Sequence, residues 1–328
     1  MRLAILGAGA WGTALAITFC ARHQVVLWGR DARHLDALKQ EHSNARYLRG
    51  ISLPPTLAIE TQLAAALHDA ELVLVATSTN GFAPTLEALV KHRAAPPPLL
   101  WACKGFETAT DRLPHEIATA YLGANALIGA LSGPSFAFEV AQGKPTALTL
   151  ASHDKQFATQ SAAALNGPAL RIYSSQDLLG VELGGALKNV MAIAAGISDG
   201  LGLGDNARAA LITRGLAEMV RLGVKMGGHP ETFMGLTGLG DLVLTATGDL
   251  SRNRTVGKRL AAGIDLDTIL AQLGHVAEGV HSARTVRELA RKHSVDMPIT
   301  EAVCAILFER ATAVETVHRL LARDPKAE

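Results

Sequence analysis

Residues 3–12 read LAILGAGAWG, a short apolar run followed by three glycines with the spacing GxGxxG. The run Leu3–Leu6 predicts a buried strand, and the apolar stretch that follows the glycines predicts a helix. In such a strand–turn–helix the first glycine permits the tight turn, the second lets a pyrophosphate approach the backbone, and the third lets helix and strand pack closely. A fold that has lost its nucleotide site has the same pattern, but the flanking strand and helix favour dinucleotide binding. The candidate cofactor contacts in this stretch are Gly7, Gly9, Ala10, Trp11 and Gly12.

The first half of the chain continues this alternation of short β-rich runs and amphipathic stretches, which predicts βαβ units and a mostly parallel sheet. The predicted strands are Leu3–Leu6, Val25–Trp28, Leu72–Ala76, Leu99–Ala102, Ala126–Ala130, Ala147–Leu150 and Leu170–Tyr173. The predicted helices between them include Gly12–Arg22, Ala32–Glu41, Phe82–His92, Leu113–Tyr121 and Lys155–Leu165.

After Ser174 the strand signal disappears and only helical segments follow. They are predicted at Leu178–Ile197, Asn206–Met226, Asn253–Ala261, Leu266–Leu273, Ser282–His293 and Ile299–Phe308. We therefore predict an α/β fold, with a Rossmann-type, dinucleotide-binding domain at residues 1–175. An all-helical domain at residues 176–328 follows it and is expected to bind substrate and carry the catalytic residues.

The composition narrows the function classes. The 328 residues include 31 Lys and Arg against 30 Asp and Glu, spread along the chain, so nothing favours a nucleic-acid or membrane-embedded partner. The three cysteines, Cys20, Cys103 and Cys304, are far apart and odd in number, which predicts packed, reduced thiols in a cytoplasmic protein. The histidines show no metal-ligand spacing, so no metal is expected. The first apolar run is too short for a signal peptide, and we expect a soluble chain.

Lys188 lies in a predicted helix that offers it no polar face. Residues 178–197 read LLGVELGGALKNVMAIAAGI, in which Glu182 is the only other charge. A lysine is rarely buried without a partner, and desolvation lowers the pKa of a buried lysine, which suits proton transfer near neutrality. The alternative is that Lys188 extends to the surface or pairs with a distant carboxylate, and this helix alone does not decide between the two.

Polar residues follow several of the predicted strands, at the edge where ligands bind in α/β sheets. Arg30 and Asp31 follow the second strand. An arginine there suits the 2′-phosphate of NADPH, whereas Asp31 is also explained as a helix cap, so the preference for NADPH over NADH stays open, with NADPH favoured. Lys104 follows the fourth strand and Ser132–Ser135 the fifth; taken singly, Lys104 is a surface charge and Ser135 an N-cap.

The helical half adds two polar motifs, GLGD at residues 238–241 and SRNR at residues 251–254. The second places a hydroxyl, two guanidinium groups and an amide before a helix, a combination that suits a phosphate or another oxyanion. Taken alone, it is explained by a capped helix start with solvated arginines, and Asp241 by a turn in a glycine-rich loop.

Together these motifs resemble the bacterial NAD(P)-dependent glycerol-3-phosphate dehydrogenases, and the resemblance covers essentially the whole chain. Agreement of several motifs in the same order is not expected by chance. The resemblance rests on GAGAWGTALA at 7–16, CKGFE at 103–107, LSGPSFAFEV at 131–140, GVELGGALKNVMAIAAGISDGL at 180–201, TGLGDLVLT at 237–245, SRNR at 251–254 and VAEGV at 276–280.

The resemblance implies the reversible reduction of dihydroxyacetone phosphate to sn-glycerol 3-phosphate by NAD(P)H, a step that feeds glycerophospholipid synthesis, and it implies a homodimer. It makes Lys188 the acid/base and Lys104 a second catalytic residue that contacts both substrate and cofactor. The implied substrate contacts are Lys104, Gly133, Ser135, Lys188, Asp241, Ser251, Arg252 and Asn253, with Arg252 on the phosphate. The implied cofactor contacts outside the glycine turn are Arg30, Lys104, Ala137, Arg252, Val276 and Glu278.

One position departs from the family pattern, since many members have serine where this chain has Ala10. The family's contact there can come from the backbone, so we expect altered affinity rather than lost function. Dehydrogenases of the 6-phosphogluconate, 3-hydroxyisobutyrate or ketopantoate reductase type share the domain arrangement, but SRNR and VAEGV argue against them. A non-catalytic NADPH-binding sensor needs the glycine turn, but it does not need Lys104, Lys188, Asp241 and Arg252 together.

Overall fold

A computed structural model describes residues 1–93, 95, 97–273 and 277–322. The chain divides into two units, Met1–Leu178 and Leu179–Glu328. The first unit contains all the strands and the second only helices among the described residues. The predicted fold class, a mostly parallel Rossmann-type sheet followed by a helical region, is confirmed.

The first unit is built on one eight-stranded sheet and a separate two-stranded ribbon. The strands are β1 (Arg2–Leu6), β2 (Gln24–Trp28), β3 (Ser43–Asn44), β4 (Leu48–Ser52), β5 (Ala58–Glu60), β6 (Leu72–Val75), β7 (Leu99–Trp101), β8 (Ile128–Ser132), β9 (Thr146–Ala151) and β10 (Leu170–Ser175). The large sheet has the order β10-β9-β8-β7-β6-β1-β2-β5, and β3 pairs with β4 in the ribbon.

Every pairing in the large sheet is parallel except the one between β8 and β9. The strand β1 pairs with β2 on one side and with β6 on the other, so the order reverses at β1. Ligands bind at the carboxyl ends of strands at such a reversal, and the glycine turn begins directly after Leu6. The topology therefore places the turn at the expected binding edge of the sheet.

The central strands are apolar on both faces because helices cover both faces of a parallel sheet. All four residues of β6 are buried, and Leu3 and Ile5 of β1 belong to a large apolar cluster with Leu100 and Leu131. The helices of this unit are α1 (Ala10–Cys20), α2 (Ala32–Glu41), α3 (Leu63–Leu67), α4 (Thr79–His92), α5 (Pro114–Leu122), α6 (Ala137–Ala141) and α7 (Lys155–Leu165).

Four elements of the first unit were not predicted, namely the ribbon strands β3 and β4, the strand β5 and the helix α3. The strand β3 has two residues and β5 three, too few to show a period of two. The helix α3 has the sequence LAAAL, which has no polar face from which helical periodicity is recognised. Short elements of this kind are fixed by the packing around them rather than by their own sequence pattern.

The second unit is organised around one long helix. Its helices are α8 (Leu178–Gly200), α9 (Gly204–Lys225), α10 (Pro230–Met234), α11 (Asp241–Thr247), α12 (Arg252–Ala261), α13 (Leu266–Leu273), α14 (Glu278–Lys292), α15 (Pro298–Phe308) and α16 (Ala313–Leu321). A π-helical turn, Leu236–Gly240, joins α10 to α11. Of these, α10, the π-helical turn, α11 and α16 were not predicted.

The helix α8 is long and apolar enough to cross a membrane by length and composition, and it is the one such helix among the described residues. However, 94% of its most apolar 18-residue window is buried, as expected for the core helix of a folded unit. Glycines let neighbouring backbones come close to it. A Cβ added at Gly184 would lie 2.7 Å from the oxygen of Thr237, and one at Gly196 would lie 2.1 Å from the oxygen of Arg254. These contacts bring the π-helical turn before α11 and the start of α12 against α8.

The three cysteines are free thiols, as predicted. Cys103 and Cys304 are buried and Cys20 is partly buried. Burial raises the pKa of the Cys304 thiol to about 12, which keeps it protonated at neutral pH.

Candidate active site and cofactor turn

The glycine turn of the first unit has the geometry that its sequence predicts. Gly7 has a φ of +129°, and a Cβ there would lie 2.7 Å from the carbonyl carbon and oxygen of Ala76. A Cβ at Gly12 would lie only 1.8 Å from the oxygen of Gly7. Only glycine fits these two positions, because any side chain would collide with the backbone. The turn therefore needs Gly7 for its conformation and Gly12 for the contact of helix with strand.

Gly9 differs from the other two glycines because the space beside it is open. A Cβ added there would meet no heavy atom within 4 Å. Gly9 is the N-cap of α1, and no side chain caps this helix. The first intrahelical hydrogen bond runs from the N–H of Thr13 to the oxygen of Gly9. The N–H groups of Ala10, Trp11 and Gly12 bind no acceptor within the described residues. Free donors beside open space fit a pyrophosphate, so this unit has the cradle that a dinucleotide requires.

The other cofactor residues predicted in the first unit lie around this turn. Ala10, Trp11 and Ala137 pack in one apolar cluster, because α6 lies against α1. Arg30 is exposed just beyond the end of β2. Asp31 caps α2, accepting a hydrogen bond of 3.2 Å from the N–H of His34, so the capping interpretation of Asp31 is correct. The other carboxylate oxygen of Asp31 lies 3.5 Å from the guanidinium of Arg46.

Lys104 and the segment after β8 are joined by a direct contact. The ammonium nitrogen Nζ of Lys104 donates to the carbonyl oxygen of Gly133 at 3.0 Å, and the hydroxyl of Ser135 donates to the same oxygen at 3.2 Å. Ser135 does not cap a helix, because the N-cap of α6 is Phe136, with no side-chain bond. Lys104 is not a simple surface charge either, because the residue is partly buried and its ammonium group is bonded to the backbone of Gly133. The structure thus brings together the three substrate contacts predicted in the first unit.

In the second unit, Lys188 is buried and paired. The residue is 7% exposed, and its Nζ lies 2.5 Å from Oδ1 of Asp241 and 2.9 Å from the hydroxyl oxygen of Thr245. Lys188 therefore does not extend to the surface but pairs with a distant carboxylate, that of Asp241, 53 residues further along the chain. Asp241 is 1% exposed and is the first residue of α11, so the alternative explanation of Asp241 as a turn residue in a loop is wrong.

The ion pair satisfies a strong electrostatic requirement. A buried ammonium without a counter-charge is unstable, and the Asp241 carboxylate supplies that charge. The hydroxyl of Thr245 accepts from Lys188 and donates to the backbone oxygen of Asp241 at 2.6 Å. Two oxygen atoms, Oδ1 of Asp241 and the hydroxyl oxygen of Thr245, thus hold the end of the Lys188 side chain. A buried cation held in one place can act on an oxygen atom of a ligand.

A second set of hydrogen bonds joins α8 to α12 and α14. The amide of Asn253 donates to Oδ1 of Asn189 at 2.9 Å, and its oxygen accepts from the N–H of Gly279 at 3.1 Å. Glu278, a predicted cofactor contact, is the first residue of α14 and directly precedes Gly279. The bond from Gly279 to Asn253 therefore fixes the backbone next to Glu278. Asn189 is therefore bonded to Asn253, the neighbour of Arg252. The predicted contact Val276 lies outside the described residues.

The SRNR motif divides into residues with different roles. Ser251 is the N-cap of α12 and accepts a 3.2 Å bond from the N–H of Arg254, so the capped helix start is correct. Arg252 is exposed, as a ligand-binding arginine requires. Arg254 is buried, and its guanidinium binds Asp199 at 2.7 Å and Asp249 at 2.8 Å. The interpretation of both arginines as solvated was therefore wrong for Arg254.

Thr245 and Asp199 were not among the predicted site residues. Thr245 lies four residues after Asp241 in α11, so both side chains lie on one face of the helix. No helix was predicted over this segment, so this spacing gave no signal. Asp199 lies in the last turn of α8, and no sequence signal links it to Arg254. Among the described residues no group of three or more His, Cys, Asp or Glu side chains is placed to hold a metal ion.

The two halves of the chain match two family models. Residues 2–158 match the N-terminal model of NAD-dependent glycerol-3-phosphate dehydrogenase, and residues 177–318 match the C-terminal model. A curated protein from Thiobacillus denitrificans named glycerol-3-phosphate dehydrogenase [NAD(P)+] is 58% identical over 328 residues and covers 100% of both chains. One of the same name from Aromatoleum aromaticum is 56% identical over 329 residues, again with 100% of both chains covered.

The solved structures agree with this match. The crystal structure of glycerol-3-phosphate dehydrogenase from Coxiella burnetii has a TM-score of 0.92 and 42% identity, and the match covers 98% of this chain and 99% of that one. This chain has a Rossmann-type sheet, a glycine turn and a buried Lys188–Asp241 pair. Its relatives match it over the whole length. The chain belongs to the NAD-dependent glycerol-3-phosphate dehydrogenase family.

Proposed function

We propose that this chain catalyses the reversible reduction of dihydroxyacetone phosphate to sn-glycerol 3-phosphate with NAD(P)H. The observation that carries the proposal is the buried Lys188–Asp241 pair, in a chain that is similar over its whole length to enzymes named for this reaction. When bound, the nicotinamide ring supplies the hydride in one direction and accepts it in the other.

We assign Lys188 as the acid/base. Reduction of a ketone builds negative charge on its oxygen, and a cation fixed beside that oxygen stabilises the charge and donates a proton. In the oxidation direction the neutral amine accepts the hydroxyl proton. The pair with Asp241 and the bond to Thr245 support this role, because they hold Nζ in position while compensating its charge. Asp241 itself is assigned to the substrate pocket.

We assign the substrate phosphate to the start of α12. Arg252 is exposed there and its guanidinium suits a phosphate, with Ser251 and Asn253 beside it. The hydroxyl of Ser251 is an acceptor in the cap and keeps its own proton for a ligand, and the amide of Asn253 keeps one N–H after its bond to Asn189. Binding energy at the phosphate orients the distant reacting carbon.

The remaining assignments follow the resemblance. Lys104 is proposed to contact both substrate and cofactor as a second catalytic residue, and Gly133 and Ser135 to hold substrate. The Gly133 oxygen that Lys104 and Ser135 share keeps both side chains on one loop. The proposed cofactor contacts are Gly7, Gly9, Ala10, Trp11, Gly12, Arg30, Lys104, Ala137, Arg252, Val276 and Glu278.

We favour NADPH over NADH, because Arg30 is the exposed cation beyond β2 and Asp31 is engaged as a helix cap. Residues 1–175 are proposed as the dinucleotide-binding domain and residues 176–328 as the substrate-binding, catalytic domain. A cytoplasmic homodimer that supplies the backbone of glycerophospholipids, with no nucleic-acid partner and no embedding in a membrane, completes the proposal.

The test is an initial-rate assay in which the purified protein oxidises NADPH, then NADH, with dihydroxyacetone phosphate. We expect rapid oxidation that depends on this ketone, with sn-glycerol 3-phosphate as product and no comparable rate with ketopantoate. Arg30→Ala is expected to lower the NADPH rate more than the NADH rate at low cofactor concentration. A protein that binds NADPH but oxidises it with none of these substrates would contradict the proposal and favour the sensor.

A further inference from the structure

Asn44 is a buried amide whose hydrogen bonds reach the glycine turn from outside it. It lies in β3, is 0% exposed, and its amide nitrogen donates to the carbonyl oxygen of Ala8 at 3.1 Å and to the hydroxyl oxygen of Thr13 at 2.8 Å. Its oxygen accepts from the N–H of Tyr47 at 3.2 Å. The amide orientation is fixed by chemistry, because a flipped amide would place its oxygen against the oxygen of Ala8.

His34 reaches the same carbonyl from α2. Its ring nitrogen Nε2 lies 3.2 Å from the oxygen of Ala8, and since a carbonyl oxygen only accepts, Nε2 carries the proton. The His34 ring packs edge-on against Tyr47, with ring centroids 5.2 Å apart. The carbonyl of Ala8 therefore has two side-chain donors, and neither belongs to β1 or α1.

The rigidity of the peptide bond transfers this restraint to the next residue. In a planar trans peptide the carbonyl of Ala8 and the N–H of Gly9 point in opposite directions. Because Asn44 and His34 hold the oxygen, the N–H of Gly9 is directed away from them, and no acceptor among the described residues binds it. Gly9 is also the N-cap of α1, so the orientation of this peptide sets where the free donors of the first helical turn begin.

We infer that Asn44 and His34 are positioning residues for the cofactor, because they hold the Ala8–Gly9 peptide in the orientation in which the turn accepts a pyrophosphate. The inference rests on the NAD(P)H requirement of the proposed function. Neither side chain is assigned a contact with the nucleotide. Their contribution is pre-organisation, since a turn already fixed in its binding conformation loses less freedom when the nucleotide binds.

Thr13 provides a matched control. A purely structural role for Asn44 would consist of attaching the β3–β4 ribbon to α1, and the bond to Thr13 does this as directly as the bond to Ala8. Thr13→Val removes the hydroxyl acceptor at nearly constant shape and leaves the Ala8 bond intact. Asn44→Asp instead replaces the donor with a carboxylate oxygen opposite the Ala8 carbonyl. His34→Phe removes the second donor and retains the ring that packs on Tyr47.

The experiment measures the dissociation constant of NADPH without substrate, by titration calorimetry, for the wild type and these three variants. Thermal unfolding of each protein is recorded beside it. We expect Asn44→Asp to weaken NADPH binding about tenfold, because it removes a donor that serves both Ala8 and Thr13 and buries a carboxylate beside the turn. We expect His34→Phe to weaken it about threefold, as loss of one part-buried hydrogen bond predicts. Thr13→Val is expected to stay within about twofold of the wild type. In turnover, the KM for NADPH should rise more than kcat falls, a split that general loss of stability does not produce.

Two results would overturn the inference. The first is NADPH binding within twofold of the wild type in both Asn44→Asp and His34→Phe. The second is a Thr13→Val variant that loses as much affinity as Asn44→Asp. If Asn44→Asp does not fold, the NADPH dissociation constants of His34→Phe and Thr13→Val are compared by the same criteria. A wild-type protein that binds neither nucleotide contradicts the proposed function together with this inference, whereas unchanged affinity in the variants overturns the inference alone.

Discussion

The ammonium nitrogen of Lys188 lies 2.5 Å from a carboxylate oxygen of Asp241, and both residues are almost fully buried. The pair joins the middle of α8 to the first residue of α11. Such a pair is sensitive to the loss of either partner, because the remaining charge is then buried without compensation.

Removal of the carboxylate is therefore expected to damage both stability and turnover. We predict that Asp241→Asn lowers the free energy of unfolding by about 3 kcal/mol, because it leaves the Lys188 charge uncompensated. The kcat for dihydroxyacetone phosphate should fall at least about tenfold. Urea unfolding and steady-state kinetics measure the two effects. Asp267→Asn, an exposed carboxylate at the start of α13, is the control and should change neither. Equal losses in the two variants would contradict a special role for Asp241.

Thr245 is predicted to position Lys188. Thr245→Val removes the hydroxyl that lies 2.9 Å from Nζ and keeps the shape of the side chain. We expect kcat to fall about fivefold, the effect of losing one buried hydrogen bond, with a smaller change in the KM for dihydroxyacetone phosphate. Thr247→Val on the same helix is the control, since its exposed hydroxyl bonds only its own helix at the oxygen of Val243. An unchanged kcat in folded Thr245→Val would remove Thr245 from the site.

Arg254 is predicted to act on substrate binding through α12. Its guanidinium binds Asp199 at 2.7 Å and Asp249 at 2.8 Å, and a lysine cannot reproduce both bonds at once. Arg254→Lys should loosen the helix start that carries Arg252, so the KM for dihydroxyacetone phosphate should rise about threefold or more while kcat changes little. Arg259→Lys in the same helix serves as the control. If the KM stays at the wild-type value, the start of α12 does not depend on Arg254.

Glu218 gives the stability of the second unit a predicted pH dependence. Its carboxyl accepts from the N–H of Ile299 at 2.7 Å and of Thr300 at 3.2 Å, and burial raises its pKa from 4.5 to about 7. A folded-state pKa above the unfolded value means that the folded form holds the proton more strongly. The resulting stabilisation is complete below pH 4.5 and is lost as pH rises through about 7.

Glu218→Gln removes this titration and keeps the shape of the side chain. The wild-type free energy of unfolding, measured relative to Glu218→Gln, should therefore fall between pH 5 and pH 8, by at most about 3 kcal/mol. Urea unfolding at the two pH values measures it. A relative stability that is constant or rises with pH would contradict the raised pKa.

The sequence predicted those parts of the fold that have a strong periodic or glycine signal. The helix α7 was predicted with its observed bounds, since Asp154 caps it and the apolar period is regular. The turn at Gly7–Gly12 was predicted down to its conformation, because backbone clashes leave only glycine at the first and third positions. Elements too short to show a repeated period, such as β3 and α3, have no such signal and depend on long-range packing.

The site was predicted less completely, for a related reason. Lys188 was identified because a charge in an apolar helix is conspicuous by itself. Asp241 was named as a substrate contact only through the family resemblance, and neither its pairing with Lys188 nor the bond to Thr245 was predicted. The alternative explanation of Asp241 placed it in a glycine-rich loop, whereas it is the first residue of α11. The alternative explanation of the SRNR motif placed Arg254 in solvent, because no local sequence signal shows that the tertiary fold brings Asp199 to it. Pairings between residues more than 50 positions apart have no local sequence signal.

The most direct test of the account is the rate of NADPH oxidation by Lys188→Met, with saturating dihydroxyacetone phosphate, beside the wild type. Methionine is an unbranched side chain one atom shorter than lysine, and it removes the charge and the proton. We predict that the variant folds with a lower free energy of unfolding, because the Asp241 carboxylate loses its counter-charge. We also predict that it binds NADPH with a dissociation constant within about threefold of the wild type and loses at least about a thousandfold in kcat. A folded Lys188→Met with kcat near the wild-type value would contradict the assignment of Lys188 as the acid/base.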